Sequence, residues 1–273
     1  MFRELQTMAY YETYYYANVI DNVLKDTEPY LRNLNDWHED REGPLFLTPF
    51  PKWSILHDLA EWIIRSLAYE QIDDVAIDGV IVKGHDLWVD EALRHHGFSV
   101  PGFKVWLKDR GTKLDDVTED DASDYYAELF ETGELSDLLE HLSNEVFFLL
   151  FSNRSLLAHL NHYAAAAMSH VEAESVEEEY RRHLASAGVL RRVAMPEWVR
   201  RAVYFRDRGR CVACNCDLTG LVSLQSDDHF DHIIPLRQSG LNDVTNIQLL
   251  CAQCNLKKGH QLVGTWNKYE RWY

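Results

Sequence analysis

Apolar residues recur at helical spacing through much of the first two thirds of the chain. Between residues 8 and 26, Tyr10, Tyr11, Tyr14, Tyr15, Tyr16, Val19, Ile20, Val23 and Leu24 lay one apolar stripe along a helix. Residues 53–70 repeat the pattern, and the Pro-containing stretch from Pro44 to Pro51 breaks regular structure between the two. Residues 75–82 read as a short strand or as a continuation of the second helix. Gly97, Pro101, Gly102 and Gly111 mark residues 97–122 as an irregular connection. Residues 123–151 and 153–186 read as two long helices, with Ser123 and Ser155 as N-cap candidates. Gly188 is placed to end the second of these, and Pro196 to open a basic helix over residues 197–207. A β-hairpin and a closing helix from about Ala252 to His260 are expected after it. The expected fold class is α+β, with a mostly α-helical domain over residues 1–192 and a small module over residues 193–273.

No apolar run approaches the roughly 18 residues of a membrane-spanning helix, and Met1-Phe2-Arg3-Glu4 does not open a signal peptide. All five cysteines fall between residues 211 and 254, a distribution that suits metal ligation in a reducing, cytoplasmic setting better than a disulfide framework. The net charge of −17 argues at first against a polyanionic partner. Its distribution changes that picture. Residues 1–195 hold 17 Lys+Arg against 36 Asp+Glu, whereas residues 196–273 hold 10 against 8. Attraction to phosphate is local, screened over about 10 Å at 0.1 M salt. A mildly basic module beside an acidic domain suggests an activity that is gated, or delivered to its target by something else.

Cys211-x-x-Cys214 and Cys251-x-x-Cys254 have the spacing of two zinc knuckles, and four thiolates suit one tetrahedral structural Zn²⁺. Cys216 is left over, and a shifted register using Cys214 and Cys216 stays open. Asp231-His232 and Asn246 lie inside the loop that such an ion would close, and Asn255 follows the last cysteine. A structural zinc ribbon has no need of these groups. A neutral histidine can take a proton from water near pH 7, which assigns His232 as general base. Asp231 and the side-chain oxygen of Asn255 could hold a hard divalent cation such as Mg²⁺ or Mn²⁺. Lys258, three positions after Asn255 on a helix, and Arg237 could contact phosphate.

These residues resemble the HNH nuclease family. The resemblance runs from Arg200-Arg201-Ala202-Val203 through Arg206-Asp207-Arg208-Gly209-Arg210-Cys211 and Phe230-Asp231-His232-Ile233-Ile234-Pro235. It continues through Asn246-Ile247-Gln248-Leu249-Leu250-Cys251 and Cys254-Asn255-Leu256-Lys257-Lys258-Gly259. It implies a ββα-metal fold cutting DNA, the same roles for His232, Asp231 and Asn255, and Asn246 bracing the loop rather than binding metal. Modules of this kind occur in restriction, repair and anti-phage systems, and the added acidic domain leans the reading toward a defence effector. That domain would regulate, recruit a partner protein or form a homo-oligomer.

Two other readings stay open. One is a zinc-bearing nucleic-acid adaptor without catalysis. The other starts from Arg154 and His159, whose Arg-x4-His spacing is similar to the motif of the HEPN superfamily and implies a metal-independent RNase in which the histidine serves as acid–base group.

Overall fold

The computed structural model describes residues 6–39, 44–72, 79, 83–221 and 229–259. The elements run α1 Thr13–Lys25, α2 Leu31–Glu39, α3 Pro44–Leu47, α4 Ile55–Glu70, α5 Trp88–His95, α6 Phe103–Arg110, α7 Glu119–Thr132, α8 Glu134–Leu150 and α9 Arg154–Met168. They continue with α10 Glu178–Arg181, strands β1 Leu184–Ser186 and β2 Val189–Leu190, α11 Glu197–Arg206, β3 Phe230–His232, β4 Ile247–Leu249 and α12 Ala252–Lys258. The α+β reading therefore holds: helices dominate, with two small antiparallel sheets, β1–β2 and β3–β4. No helix among the described residues is long and apolar enough to cross a membrane.

Local expectations differ at several points, each for a short-range reason. The stretch Pro44–Pro51 holds one helical turn, α3. The connection over 97–122 contains α6, which starts after Gly102 and stops at Gly111 in the left-handed region, φ 76°. The helix expected from residue 123 begins at Glu119, because Thr118 and Asp121 form a reciprocal capping box. That helix and the next are separate: Gly133, φ 99°, ends α7 before α8 begins. Asn153 rather than Ser155 caps α9, accepting from Leu156 N–H. The helix expected over 153–186 stops at Met168, and Gly188, φ 63°, turns the β1–β2 hairpin instead of ending a helix. A Cβ at Gly188 would lie 2.9 Å from Met168 O, so both conformation and space require glycine. The element expected over 75–82 lies, apart from Gly79, outside the described residues, as does His260.

The chain packs into two compact units, one from residues 1–18 and 59–147 and the other from 19–58 and 148–273. In the first, two buried carboxylates tie segments together. Glu145 accepts from Ala9 N–H, Tyr10 N–H and Thr13 Oγ1, fixing the chain that leads into α1. Asp90 accepts from Phe103 N–H at the start of α6 and from the Tyr125 hydroxyl at 2.8 Å. Around them Leu93, Phe103, Leu107, Tyr126, Leu138 and Leu142 form an apolar core.

The second unit carries every residue of the expected zinc and Asp-His chemistry. Its composition differs from a division at residue 192, because residues 236–250 pack on earlier parts of the chain. Phe50 N–H donates to Asn242 O at 2.7 Å, Ile55 N–H to Asp243 Oδ2 at 3.2 Å, and Asn161 Nδ2 to Thr245 Oγ1 at 3.2 Å. Trp37 is fully buried and donates to Asp58 at 2.7 Å.

Candidate functional site

β3 and β4 pair with Phe230 opposite Leu249, Asp231 opposite Gln248 and His232 opposite Ile247. The pleat sends neighbouring side chains to opposite faces, so Asp231 and His232 cannot share one environment. His232 is buried, while Asp231 is partly exposed. Arg206 and Asp207, at the end of α11, hold the strand from behind. Their side chains pair at 2.9 Å, Asp207 accepts from Leu249 N–H, and Arg206 donates to Ile247 O. Both are buried, so this arginine of the basic helix is structural.

Asn246 joins β3 to the start of β4. Its Oδ1 accepts from Ile234 N–H at 2.9 Å, and its Nδ2 donates to Ile234 O at 3.1 Å and Leu241 O at 2.9 Å. Three bonds in a fully buried position are worth roughly 1 kcal/mol each, and more is lost when a buried partner is stranded. Gly240 makes this possible: a Cβ there would lie 1.9 Å from Ile234 O.

His232 lies at the base of a cleft of about 600 Å³ whose wall includes Asp231, Arg191, Arg192 and Arg237. Its Nε2 is 3.3 Å from Asn242 Oδ1, while Asn242 Nδ2 donates to Arg191 O at 2.9 Å. The carbonyl of Arg191 accepts only, so the amide group of Asn242 must face it and the amide oxygen must face the imidazole. Nε2 then carries the proton, and Nδ1 keeps the lone pair. Burial, and secondarily the Arg192 guanidinium, bring the His232 pKa down to about 4, so the ring is neutral at pH 7.

Lys258 is fully buried, and its Nζ lies 2.6 Å from both Asp231 Oδ2 and His232 O. It ties α12 to β3 and is not presented to a ligand, which corrects its expected role as an exposed phosphate contact. Arg237 is exposed on the cleft wall. Asn255 is half-buried on α12 and is not part of that wall. Among the described residues no hydrogen bond joins it to Asp231. Each of the two offers an oxygen of the kind a hard cation takes.

The thiols converge. Sulfur atoms of Cys211, Cys214, Cys216 and Cys251 lie within 4.8 Å of one another. Cys254 adjoins the same group, its N–H donating to Cys251 Sγ at 3.4 Å. Zn–S bonds of about 2.3 Å give tetrahedral sulfur–sulfur edges of about 3.8 Å. Cys214 and Cys251 are 3.8 Å apart. The cluster therefore fits structural zinc, with one more thiol than a tetrahedral ion takes.

The family model for HNH endonuclease matches residues 211–261. This segment is an HNH domain. The match contains both knuckles, the β3–β4 pair and α12, and it supports a nuclease-type enzyme acting on nucleic acid. Comparison with curated proteins and with solved structures gives no match.

The HNH match leaves out four residues that the cleft uses or leans on, all of which precede it: Arg191, Arg192, Arg206 and Asp207. Asn242 lies within it but was not singled out by sequence reasoning. The readable signal was the turn: Gly188 followed by Val189-Leu190-Arg191-Arg192 suits a hairpin leaving two cations at its end. The second candidate pair is not brought together. Arg154 is buried, whereas His159 is exposed along a separate groove with His162 and His170.

Proposed function

We propose that the chain is a metal-dependent HNH endonuclease that hydrolyses DNA phosphodiester bonds. The observation that carries this reading is the state of His232: buried, neutral at pH 7, its Nε2 proton held by Asn242, at the base of a cleft walled by arginines. His232 Nδ1 takes a proton from water, and the water oxygen attacks phosphorus as the bond to the leaving oxygen breaks. Asp231 and Asn255 would hold a divalent cation, Mg²⁺ or Mn²⁺, which supplies charge neutralisation at the phosphate and the leaving oxygen. Lys258 shares Asp231 and keeps its carboxylate oriented beside the base. Zinc on the cysteine cluster holds the module together without entering the chemistry. The acidic helical remainder gates the site or delivers it to a target, as in a defence effector, through a partner protein or a second copy of the chain.

Plasmid nicking or linearisation with added Mg²⁺ or Mn²⁺ tests this. Wild type cuts, and His232→Ala, checked to be folded by its thermal transition, cuts roughly 10² to 10⁴ times more slowly. Equal cutting by the two proteins sinks the assignment. Binding without cutting, unaffected by His232→Ala or added cation, turns the conclusion to the non-catalytic adaptor. Metal-independent RNA cleavage lost in His159→Ala turns it to the RNase.

A further inference from the structure

The cleft wall is not supplied by the HNH segment alone. β1 and β2, at residues 184–190, form a hairpin tightened by Gly188, and the chain leaves it as Arg191-Arg192. Both guanidiniums are exposed, and both residues line the same cleft as Asp231, His232 and Arg237. Among the described residues no carboxylate pairs with Arg191, Arg192 or Arg237. In the same chain, of net charge −17, Arg65, Arg94, Arg110 and Arg206 do carry ion pairs. Three exposed cations held together repel one another, and an anion in the cleft relieves that repulsion.

The arm is also held in position. Arg191 N–H donates to His183 O at 2.8 Å, and Arg191 O accepts from Asn242 Nδ2, whose oxygen meets His232. Backbone and not side chain makes these contacts, so both guanidiniums stay available to a ligand while the arm stays registered against the imidazole. A planar guanidinium recognises phosphate with two parallel N–H donors, which a surface lysine cannot do.

We infer that Arg191 and Arg192 form a backbone-binding arm of the nuclease site, gripping nucleic-acid phosphates on either side of the one to be cut. This rests on the nuclease reading above. It places part of the site before residue 193, so the module bounded at that residue lacks a wall of its own cleft. The ligand class is a phosphodiester backbone, read by charge and geometry and not by base edges.

The test uses the full-length chain carrying His232→Ala, so that substrate stays whole, and a fluorescent short DNA duplex titrated at several salt concentrations without added divalent cation. Arg191→Gln/Arg192→Gln in that background is expected to weaken binding roughly tenfold and to reduce the slope of log K against log salt by about 1 to 2, close to 0.9 for each lost phosphate contact. Lys25→Gln/Arg32→Gln, which removes two charges outside the cleft wall, is expected to leave the slope unchanged. An unchanged affinity and slope in the arginine variant, or the same loss in the control, overturns the arm. Cleavage of plasmid by the same variants on a wild-type His232 background separates this from the nuclease reading. If wild type cuts and the arm variant binds and cuts equally, the arm falls and the nuclease stands. If wild type never cuts but duplex binding still depends on Arg191 and Arg192, the nuclease reading falls and the arm stands.

Discussion

The cysteine cluster and the His232 cleft belong to the same compact unit, yet they are assembled in opposite ways. The cluster draws its ligands from two tight turns, each holding two thiols within a few residues, and Cys216 sits next to one of them. The cleft draws its wall from separate segments between residues 185 and 259 and depends on Asn242 to align its histidine. A ligand site made of local turns can be read from spacing, because turn geometry fixes where the side chains go. A cleft made of separate segments depends on packing that no spacing encodes.

The comparison breaks first at the cysteines, where the largest effect is expected. Zinc binding to a small module is folding free energy, on the order of 10 kcal/mol or more. Cys211→Ser, Cys214→Ser and Cys251→Ser should therefore each abolish zinc retention and the thermal transition of this part of the chain, measured as bound zinc per protein and by calorimetry. Five thiols compete for four places: the sulfurs within 4.8 Å of one another include Cys216, whereas knuckle spacing favours Cys254. Cys216→Ser should keep a full equivalent of zinc, and Cys254→Ser should lose it. The reverse pattern would assign the shifted register through Cys216. A folded, zinc-free variant that still cuts DNA would remove the structural role altogether.

A smaller effect is expected at Asn242, which tests whether the cleft depends on alignment in the way proposed. Asn242→Ala removes the acceptor for His232 Nε2–H and the donor to Arg191 O. kcat should fall roughly 10- to 100-fold, because proton transfer loses its aligned base, and KM should rise as well, because the arm at Arg191 loses an anchor. Asn242→Asp gives a readout that a packing defect would not imitate. A carboxylate beside Nε2 favours the imidazolium, so the acid limb of the rate profile should move to higher pH. An unmoved profile in a folded Asn242→Asp protein would separate Asn242 from the base.

The α+β class, an amphipathic helix within residues 8–26 and the gathering of cysteines at knuckle spacing were legible because each rests on short-range rules: apolar period and turn spacing. Asn246 was legible only through resemblance, and the structure gives it a physical reason in three buried hydrogen bonds. Two things were hidden. The apolar period over 153–186 reads as one helix, but that helix ends at Met168, so the hairpin and its arginines were absorbed into it. Lys258 has the spacing of a surface phosphate contact, but a 2.6 Å pairing with Asp231 buries it. Helical spacing says which face a lysine shares. It does not say what that face meets.

The smallest effect concerns pH, and it separates the two sites by residue. His232 and His57 both have pKa values pushed down by burial, to about 4 and about 3. An unfolded histidine titrates near 6.5. Above that value neither state carries the proton and the two histidines contribute nothing to the pH dependence of folding. As pH falls below it, the unfolded chain binds protons that the folded chain refuses, so stability is lost progressively between about 6.5 and 4. Between pH 7 and pH 5.5 this amounts to about 1 kcal/mol for each histidine. Acid also protonates the zinc thiolates and loosens the knuckles, which adds a loss of the same sign. Denaturant titrations of wild type and His232→Asn at pH 7 and pH 5.5 divide the two contributions. Asn cannot take up a proton, so the variant should lose less stability than wild type over this interval by about 1 kcal/mol, while zinc release stays the same in both. An identical loss in the two proteins would mean that burial does not hold the folded-state pKa of His232 below its unfolded value.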